Sequence, residues 1–276
     1  MKKKLVLVGF SLLFAVLIGC SDDSVAPNDK SPKDSLGVPT INSIHVALGV
    51  PIDNDSNNDY YIIAPQYVIS YNHFKNTCNW VSWNLNADWY GGVERFSGNF
   101  KKDTSLLNTW YQVKHDDYTN SGYDRGHMVR SEERTKTVED NLSTFFLTNV
   151  LPQRPDMNRG VWLDLEYHCE DLCKKENKEL YIVSGGVFHT DSTLMSKGVV
   201  PVPDSCFKIV VILEKGQGLK NVNSTTQIIA VMIPNIDGVR TDDWEKYKTS
   251  VDRIESSTGY DFLNCVPKEI QGIIEK

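Results

Sequence analysis

The sequence predicts an α+β fold built on a mostly antiparallel central sheet. Three observations support it: apolar runs of strand length dominate the middle of the chain, helical patterns lie between and after them, and no internal repeat is present. The chain has 276 residues, of which 40% are hydrophobic, so it can bury one large core or two small ones. Composition marks no boundary after residue 43, and we expect one domain over residues 43–276.

The first predicted elements form a hairpin. Residues 67–71 and 79–85 alternate large apolar side chains with small or polar ones, as half-buried strands do, and residues 72–77 fit the turn between them. Residues 86–120 contain three glycines and scattered polar groups, which predicts long loops over a site.

Helical and strand patterns alternate through the rest of the chain. A helix over 158–177 is predicted from apolar residues at 161, 162, 165 and 172. The elements expected after it are a strand at 180–184 with a turn at Gly185-Gly186, strands at 207–213 and 227–233, and a helix at 241–256 with Val251 and Ile254 inward.

The N-terminus is typical of an exported protein. Lysines 2–4 precede an apolar run from Leu5 to Ile18, the charged and hydrophobic regions of a secretory signal. A transmembrane anchor is the alternative, but the run is shorter than the ~20 residues a spanning helix needs. The sequence ending at Cys20 resembles a bacterial lipobox, which implies a signal peptide over residues 1–19 and lipid attachment to Cys20.

Residues 20–42 are predicted to be a flexible tether behind that lipid. They are rich in Ser, Asp, Asn, Lys and Pro and have too little apolar surface to offset the cost of ordering. The implied location is the outer membrane, reached through the lipidated Cys20. The pair Asp22-Asp23 resembles surface-export signals of some Gram-negative lipoproteins, which favours the cell surface over the periplasmic side.

The net charge and the cysteines argue against two further classes of protein, a nucleic-acid coat and a zinc-binding protein. The net charge of -7 argues against a protein that coats nucleic acid through phosphate neutralisation, but an enzyme needs only a local positive site. Five cysteines follow Cys20, so at least one is unpaired within the chain. Cys169 and Cys173 are close enough on a helix to form a disulfide with slight strain. A zinc site is disfavoured because no second ligand pair has suitable spacing.

The segment with the most chemistry is residues 121–128, Ser-Gly-Tyr-Asp-Arg-Gly-His-Met. His127 can act as a base near pH 7, and Arg125 can hold a phosphate through paired N–H donors. Asp124 can orient the imidazole or organise water on a metal, and we expect Gly126 to adopt a tight or left-handed backbone. The alternatives are a surface histidine, a turn glycine, a turn-capping aspartate and an ordinary arginine salt bridge.

A second group lies at the start of the predicted helix. Asn158 is either a helix N-cap or, through its amide oxygen, a neutral ligand for Mg²⁺. Trp162 and Glu166 lie on the same side of a helix as Asn158, with Glu166 ~12 Å further along the axis. Glu166 is therefore expected to bond to water on the metal rather than to the metal, or else to be a solvated helix charge.

Taken in order, these motifs resemble the DNA/RNA non-specific endonuclease family (the Serratia nuclease type) with its ββα-metal active site. The resemblance rests on Asp124-Arg125-Gly126-His127, Thr148-Asn149, Pro152-Gln153, Asn158-x-Gly160-x-Trp162 and Glu166, and covers residues 65–265. It implies an endonuclease that cleaves DNA and RNA with Mg²⁺, for which Mn²⁺ substitutes.

The resemblance also implies a role for each site residue. His127 is the general base, Asn158 the direct metal ligand, Arg125 the phosphate clamp, Glu166 the acid of the water network and Asn149 a supporting asparagine. Arg95 aligns loosely with a second family arginine that stabilises transition-state charge, with Lys101 or Lys102 as substitutes.

The chain departs from the family pattern at three places, of which Gly186 in place of a common proline is expected to have little effect. Arg130 stands where a proline often follows the histidine, so the turn is looser or Arg130 adds a phosphate contact. Tyr167 to Glu170 replace a region where many relatives carry an arginine, which weakens the local positive field. A binding lipoprotein that holds nucleic acid without cleaving it is therefore the alternative function.

Overall fold

The computed structural model describes residues 40–189, 195 and 198–276. The predicted signal peptide over 1–19, Cys20 and most of the predicted tether over 20–42 lie outside the described residues. Within the described ranges, no helix is both long and apolar enough to cross a lipid bilayer.

Strands and helices follow one another in the mixed order that the sequence predicts. The strands are β1 (Tyr60–Ile63), β2 (Val68–Asn72), β3 (Thr77–Leu85), β4 (Asp124–His127), β5 (Val150–Gln153), β6 (Lys178–Val187), β7 (Ser205–Glu214) and β8 (Gln227–Pro234). The α-helices are α1 (Val138–Ser143), α2 (Trp162–Lys174), α3 (Val251–Thr258) and α4 (Lys268–Ile274).

Six strands form one antiparallel sheet in the order β1-β2-β3-β6-β7-β8, while β4 and β5 form a separate antiparallel ribbon. The expected α+β class with a mostly antiparallel sheet flanked by helices is confirmed. The expected hairpin is β2–β3, and residues 86–120 are mostly loop, as predicted.

Successive side chains of a strand point to opposite faces of a sheet. Both faces of the large sheet are covered, each by a different core cluster. On β3, Val81 packs in the same cluster as Trp162 of α2, whereas its neighbour Trp80 packs with Val251 and Ile254 of α3. Trp80 and Trp162 are fully buried, and truncating either one to alanine would cost about 3–5 kcal/mol.

Two predicted elements are wrong in part. Gly185 and Gly186 continue β6 instead of turning. Glycine is needed at position 185 because a Cβ there would lie 2.5 Å from the carbonyl oxygen of Asn79 on the paired strand β3. The predicted helix over 241–256 is α-helical only from Val251, where Ser250 caps α3 by accepting a hydrogen bond from the Arg253 amide. Val251 and Ile254 are buried as expected.

Helix α2 begins later than its prediction. Residues 157–161 form a π-helical turn, and the regular α-helix runs from Trp162 to Lys174. Cys169 and Cys173 lie on this helix as separate buried thiols, so the suggested disulfide between them does not form.

Candidate active site

The ribbon of β4 and β5 positions the Asp-Arg-Gly-His motif. The two strands pair with Asp124 opposite Gln153 and His127 opposite Val150. The expectation of a tight or left-handed turn at Gly126 is therefore wrong, because the motif is an extended strand. Glycine is needed there for a different reason: a Cβ at Gly126 would lie 2.0 Å from Oε1 of Gln153.

Asn149 fixes the chain directly after the motif. Its Oδ1 accepts a hydrogen bond from the Val129 amide at 3.0 Å, and its Nδ2 donates to the carbonyls of Val129 and Thr144, each at 3.0 Å. The side chain is fully buried, so these bonds are not exchanged with water. Asn149 thus holds the backbone that carries His127.

His127 sits in an aromatic pocket. Its ring lies 5.0 Å from the ring of Phe100 and meets Phe145 edge-on at 5.2 Å. The Nε2 atom is buried and has no hydrogen-bond partner among the described residues. Burial and the nearby charge of Arg95 lower the pKa of His127 to about 3, so the imidazole is neutral at pH 7 and can accept a proton.

Arg125 is held by the backbone beside this pocket. Its Nη2 donates to the carbonyl of His115 at 2.7 Å, and its guanidinium lies over the rings of Phe100 and Tyr118 at 5.8 and 5.6 Å. Its Nε is buried without a partner in the described part of the chain. The side chain is only half-buried, so part of the guanidinium is open to an anion, and burial lowers the pKa of Arg125.

Asp124 connects the strand to the helical turn. Its Oδ2 accepts from Nδ2 of Asn158 at 3.0 Å and from Nε of Arg159 at 2.7 Å, while Oδ1 accepts from Arg159 Nη2 at 2.5 Å. Asp124 is thus a partner of Asn158 rather than of the imidazole. Because the amide nitrogen of Asn158 faces Asp124, its oxygen faces the other side of the amide group.

The π-helical turn places Asn158. The Asn158 amide donates to the carbonyl of Arg154 at 2.9 Å, so the residue is inside the helical turn and is not its N-cap. Gly160 breaks the regular geometry, and a Cβ there would lie 2.2 Å from the carbonyl oxygen of Arg240. A π-turn inserted in a helix is frequent at functional sites.

Glu166 lies on α2, buried among charged groups. Its Oε2 is 3.6 Å from Nε of Arg130, and its Oε1 is 3.9 Å from Nζ of Lys208. Burial raises the pKa of Glu166 to about 7, against the opposing effects of Lys208 and Arg130. The alternative of a solvated helix charge is therefore wrong, and Glu166 can exchange a proton near neutral pH.

Arg130 is turned inward. Its Nη1 donates to Glu170 at 2.7 Å, its Nε lies 3.3 Å from Glu132, and its guanidinium covers the ring of Tyr167 at 4.7 Å. The suggested phosphate contact from Arg130 is therefore wrong in this structure. Its charge instead balances the surrounding carboxylates, including Glu166.

Arg95 reaches the site from the long loop. It donates to Oγ of Ser131 and to Glu132, and its guanidinium lies 5.1 Å from the ring centre of Phe145, which contacts His127. Its side chain is half exposed, so it is open to a ligand. The loose alignment that selected Arg95 thus points to a residue beside the candidate base.

Sequence reasoning missed two cations of the site, Lys208 and Arg159. Lys208 is almost fully buried on β7, with its Nζ 4.3 Å from the ring of Trp162. The signal that could have revealed Lys208 is its position inside the apolar run of β7, since a buried charge requires a partner. Arg159 has no comparable signal, because its partner Asp124 is distant in the sequence.

Comparison with known proteins identifies the family. The family model for DNA/RNA non-specific endonucleases matches residues 48–269. The chain belongs to this family. The endonuclease is 44% identical to a nuclease of Nostoc sp. (strain PCC 7120), across 97% of this chain and 96% of that protein. It is 24% identical to the mitochondrial endonuclease G of Homo sapiens, across 71% and 67% of the two chains.

The fold of this endonuclease is also similar to a solved structure. A chain in the crystal structure of the EndoG/EndoGI complex superimposes with a TM-score of 0.70 and 22% identity, covering 82% of this chain and 92% of that one. The resemblance drawn from the sequence motifs is therefore confirmed, and the protein is a nuclease.

Proposed function

We propose that the protein is a Mg²⁺-dependent endonuclease that hydrolyses phosphodiester bonds of DNA and RNA with little sequence preference. The observation that carries the proposal is the arrangement at the β4–β5 ribbon. A neutral, unpartnered His127 Nε2 and an unpartnered Arg125 Nε lie on the same strand as Asp124, which orients the Asn158 amide. A base, an anion donor and an oriented oxygen ligand are the groups that this hydrolysis needs.

The donor set fits a hard divalent cation. Asn158 offers an amide oxygen, and Asp124 fixes the side on which it lies. Mg²⁺ accepts such oxygen donors, keeps several waters and needs few protein ligands, so Asn158 would hold it together with substrate phosphate. When bound, the cation would supply charge stabilisation for the departing oxygen. Mn²⁺ takes the same donor types and is expected to substitute.

The residues of the chain then divide the remaining work. His127 accepts the proton of the attacking water through its imidazole, which its neutral state permits. Arg125 binds a phosphate oxygen and opposes the negative charge that develops on it, and Arg95 adds a second positive charge near His127. Glu166, held by Arg130 and Lys208, orders water on the other side of the site.

Plasmid nicking tests this proposal. The purified protein is assayed with Mg²⁺, with Mn²⁺ and with a chelator, beside the variants His127→Ala and Asn158→Ala. We expect cleavage that requires metal and falls by roughly 10²–10⁴-fold in His127→Ala, with a comparable loss in Asn158→Ala. The matched controls are His189→Ala and Asn57→Ala, both at exposed positions outside β4 and β5.

Each result has a clear meaning. Cleavage in chelator would refute the metal dependence, and full activity in either site variant would refute the assigned role. A folded wild-type protein that binds DNA but never nicks it would support the alternative of a non-cleaving binding lipoprotein. RNA cleavage is assayed in parallel, because the proposal covers both nucleic acids.

We also propose that the protein is an exported outer-membrane lipoprotein, on the basis of residues 1–42. Mass spectrometry of the membrane-associated protein should detect an N-terminal peptide that begins at a lipidated Cys20. Cys20→Ala should release the protein from the membrane fraction, and unchanged fractionation of this variant would contradict the anchor. Protease treatment of intact cells would distinguish the cell surface from the periplasmic side.

A further inference from the structure

A second candidate metal site lies far from the ribbon in the chain, at the helices α3 and α4. Asp252 and Glu255 lie on α3, and Glu275 caps the end of α4. Each of these residues can offer one carboxylate oxygen such that all three oxygens lie within 4.8 Å of one another. Neighbouring residues of both helices pack in the core cluster of Trp80, whereas α2 of the active site packs in the other cluster.

The environment of Glu275 provides an independent sign of a missing partner. The residue is only 5% exposed, and its Oε1 is buried without a hydrogen-bond partner in the described structure. A buried carboxylate oxygen without a donor is costly and rare. The main chain holds Glu275 in this position, since its carbonyl accepts the Asp252 amide at 3.1 Å.

The charges around the cluster do not neutralise it. The nearby cation is Lys268, whose Nζ donates to Gln271 at 2.9 Å and lies 3.6 Å from Asp261. Glu255 accepts one hydrogen bond through Oε1, from the Phe262 amide at 2.8 Å. Three acidic groups therefore converge, with Asp261 adding a fourth negative charge nearby.

We propose that Asp252, Glu255 and Glu275 form a Ca²⁺ site that joins the start of α3 to the end of α4. Ca²⁺ binds oxygen ligands at about 2.3–2.6 Å, so two ligands on opposite sides of the ion are about 4.6–5.2 Å apart. Oxygens that lie within 4.8 Å of one another can therefore share one Ca²⁺ shell after only small shifts. Mg²⁺, at about 2.0–2.1 Å, demands a near-ideal octahedral shell and retains its waters, so three carboxylates from two separate helices favour Ca²⁺.

This site has a structural role rather than a catalytic one. The ion supplies a partner for the Glu275 carboxylate and removes the repulsion among three carboxylates. Because α3 and α4 are short, their positions depend on contacts with the rest of the chain. The bound ion would therefore stabilise the C-terminal part of the domain and leave cleavage unchanged.

Calorimetric titration with CaCl₂ tests the site in an Asn158→Ala background, which removes the proposed active-site ligand. We expect one equivalent of Ca²⁺ to bind, and the thermal midpoint to rise by roughly 5–10 °C at a hundredfold excess over Kd. Glu275→Gln and Asp252→Asn should each abolish both effects. Glu269→Gln, an exposed carboxylate on α4, is the matched control and should retain them.

The variants keep the test decisive. Asp252 is exposed, so Asp252→Asn should fold even if Glu275→Gln does not. In the wild-type background, Asp252→Asn should nick plasmid at the normal rate while it loses the calcium response. Absence of binding heat, binding that survives in Asp252→Asn, or tighter binding of MgCl₂ than of CaCl₂ would each overturn the proposal. Protonation of Glu275 would prevent Ca²⁺ binding and so produce no binding heat.

Discussion

Substitution of Gly126 by alanine is the sharpest test of how the ribbon holds the catalytic motif. A Cβ at this position would lie 2.0 Å from Oε1 and 2.3 Å from Cδ of Gln153. Ordinary contacts begin at about 3.4 Å, so the two strands or the Gln153 side chain would have to separate by roughly 1.4 Å. Gln153 is fully buried and its Nε2 donates to Cys206, so it has little freedom to move.

The structure thus predicts effects on both stability and catalysis. Overpacking of this kind costs about 1–3 kcal/mol, which lowers the thermal midpoint by roughly 2–10 °C. His127 is the next residue on the strand, and a displacement of about 1 Å at a catalytic group reduces turnover by roughly 10²-fold. Thermal unfolding and plasmid nicking measure the two effects on the same preparations.

Two further variants separate the clash from other causes. Gly92→Ala is the matched control, because a Cβ there meets no atom within 4 Å. Gln153→Ala removes the obstructing side chain, so Gly126→Ala should be far less harmful in that background, with a coupling of about 1 kcal/mol or more. A Gly126→Ala protein with wild-type midpoint and rate would refute the close approach of the strands.

Two pH profiles provide the remaining predictions. Burial raises the pKa of Glu166 from 4.5 to about 7, so its contribution to stability is complete below pH 4.5 and is lost as the pH rises through 7. Glu166→Gln should therefore flatten the pH dependence of the unfolding free energy in that window by up to about 3 kcal/mol, measured by urea denaturation, and an unchanged slope would contradict the assigned burial. Burial and Arg95 lower the pKa of His127 to about 3, so kcat/KM for nicking should show no acid limb at pH 6.5. Arg95→Ala should move the limb upward, and a wild-type limb at 6.5 would show that His127 is not held in this environment.

Local sequence patterns predicted five of the six strands of the large sheet, but they predicted neither β1 nor the role of the glycines. Alternation at 67–71 and 79–85 predicts β2 and β3 as half-buried strands. Both strands form, but they are buried along nearly their whole length because both faces of the sheet are covered. Gly126 and Gly185 both suggested turns, yet both lie in strands where a neighbouring strand or side chain approaches closely. Sequence shows that a glycine is present, whereas only the packed structure shows which atom would meet its side chain.

For the candidate site as well, the sequence identified residues, whereas the structure showed their contacts. Motif order in the sequence selected His127, Arg125, Asn149 and Glu166. The structure places the first two on β4, the third beneath the chain that follows β4, and the fourth on α2, where Arg130 affects the pKa of both His127 and Glu166. The sequence could not show that Asp124 binds Asn158 and Arg159, because that contact joins segments more than thirty residues apart. The sequence also could not show that Arg130 points inward, because the sequence alone does not distinguish a buried arginine from an exposed one.

The sequence by itself determined the fold class and the endonuclease family and selected the candidate site residues, because these depend on side-chain type, order and periodicity. The tertiary structure alone decided the environment of each group. It buried Lys208 beside Glu166, placed His127 in an aromatic pocket and brought Glu275 against Asp252 and Glu255. Burial and proximity of distant segments set the pKa values and the ligand geometry, and neither quantity is a property of local sequence.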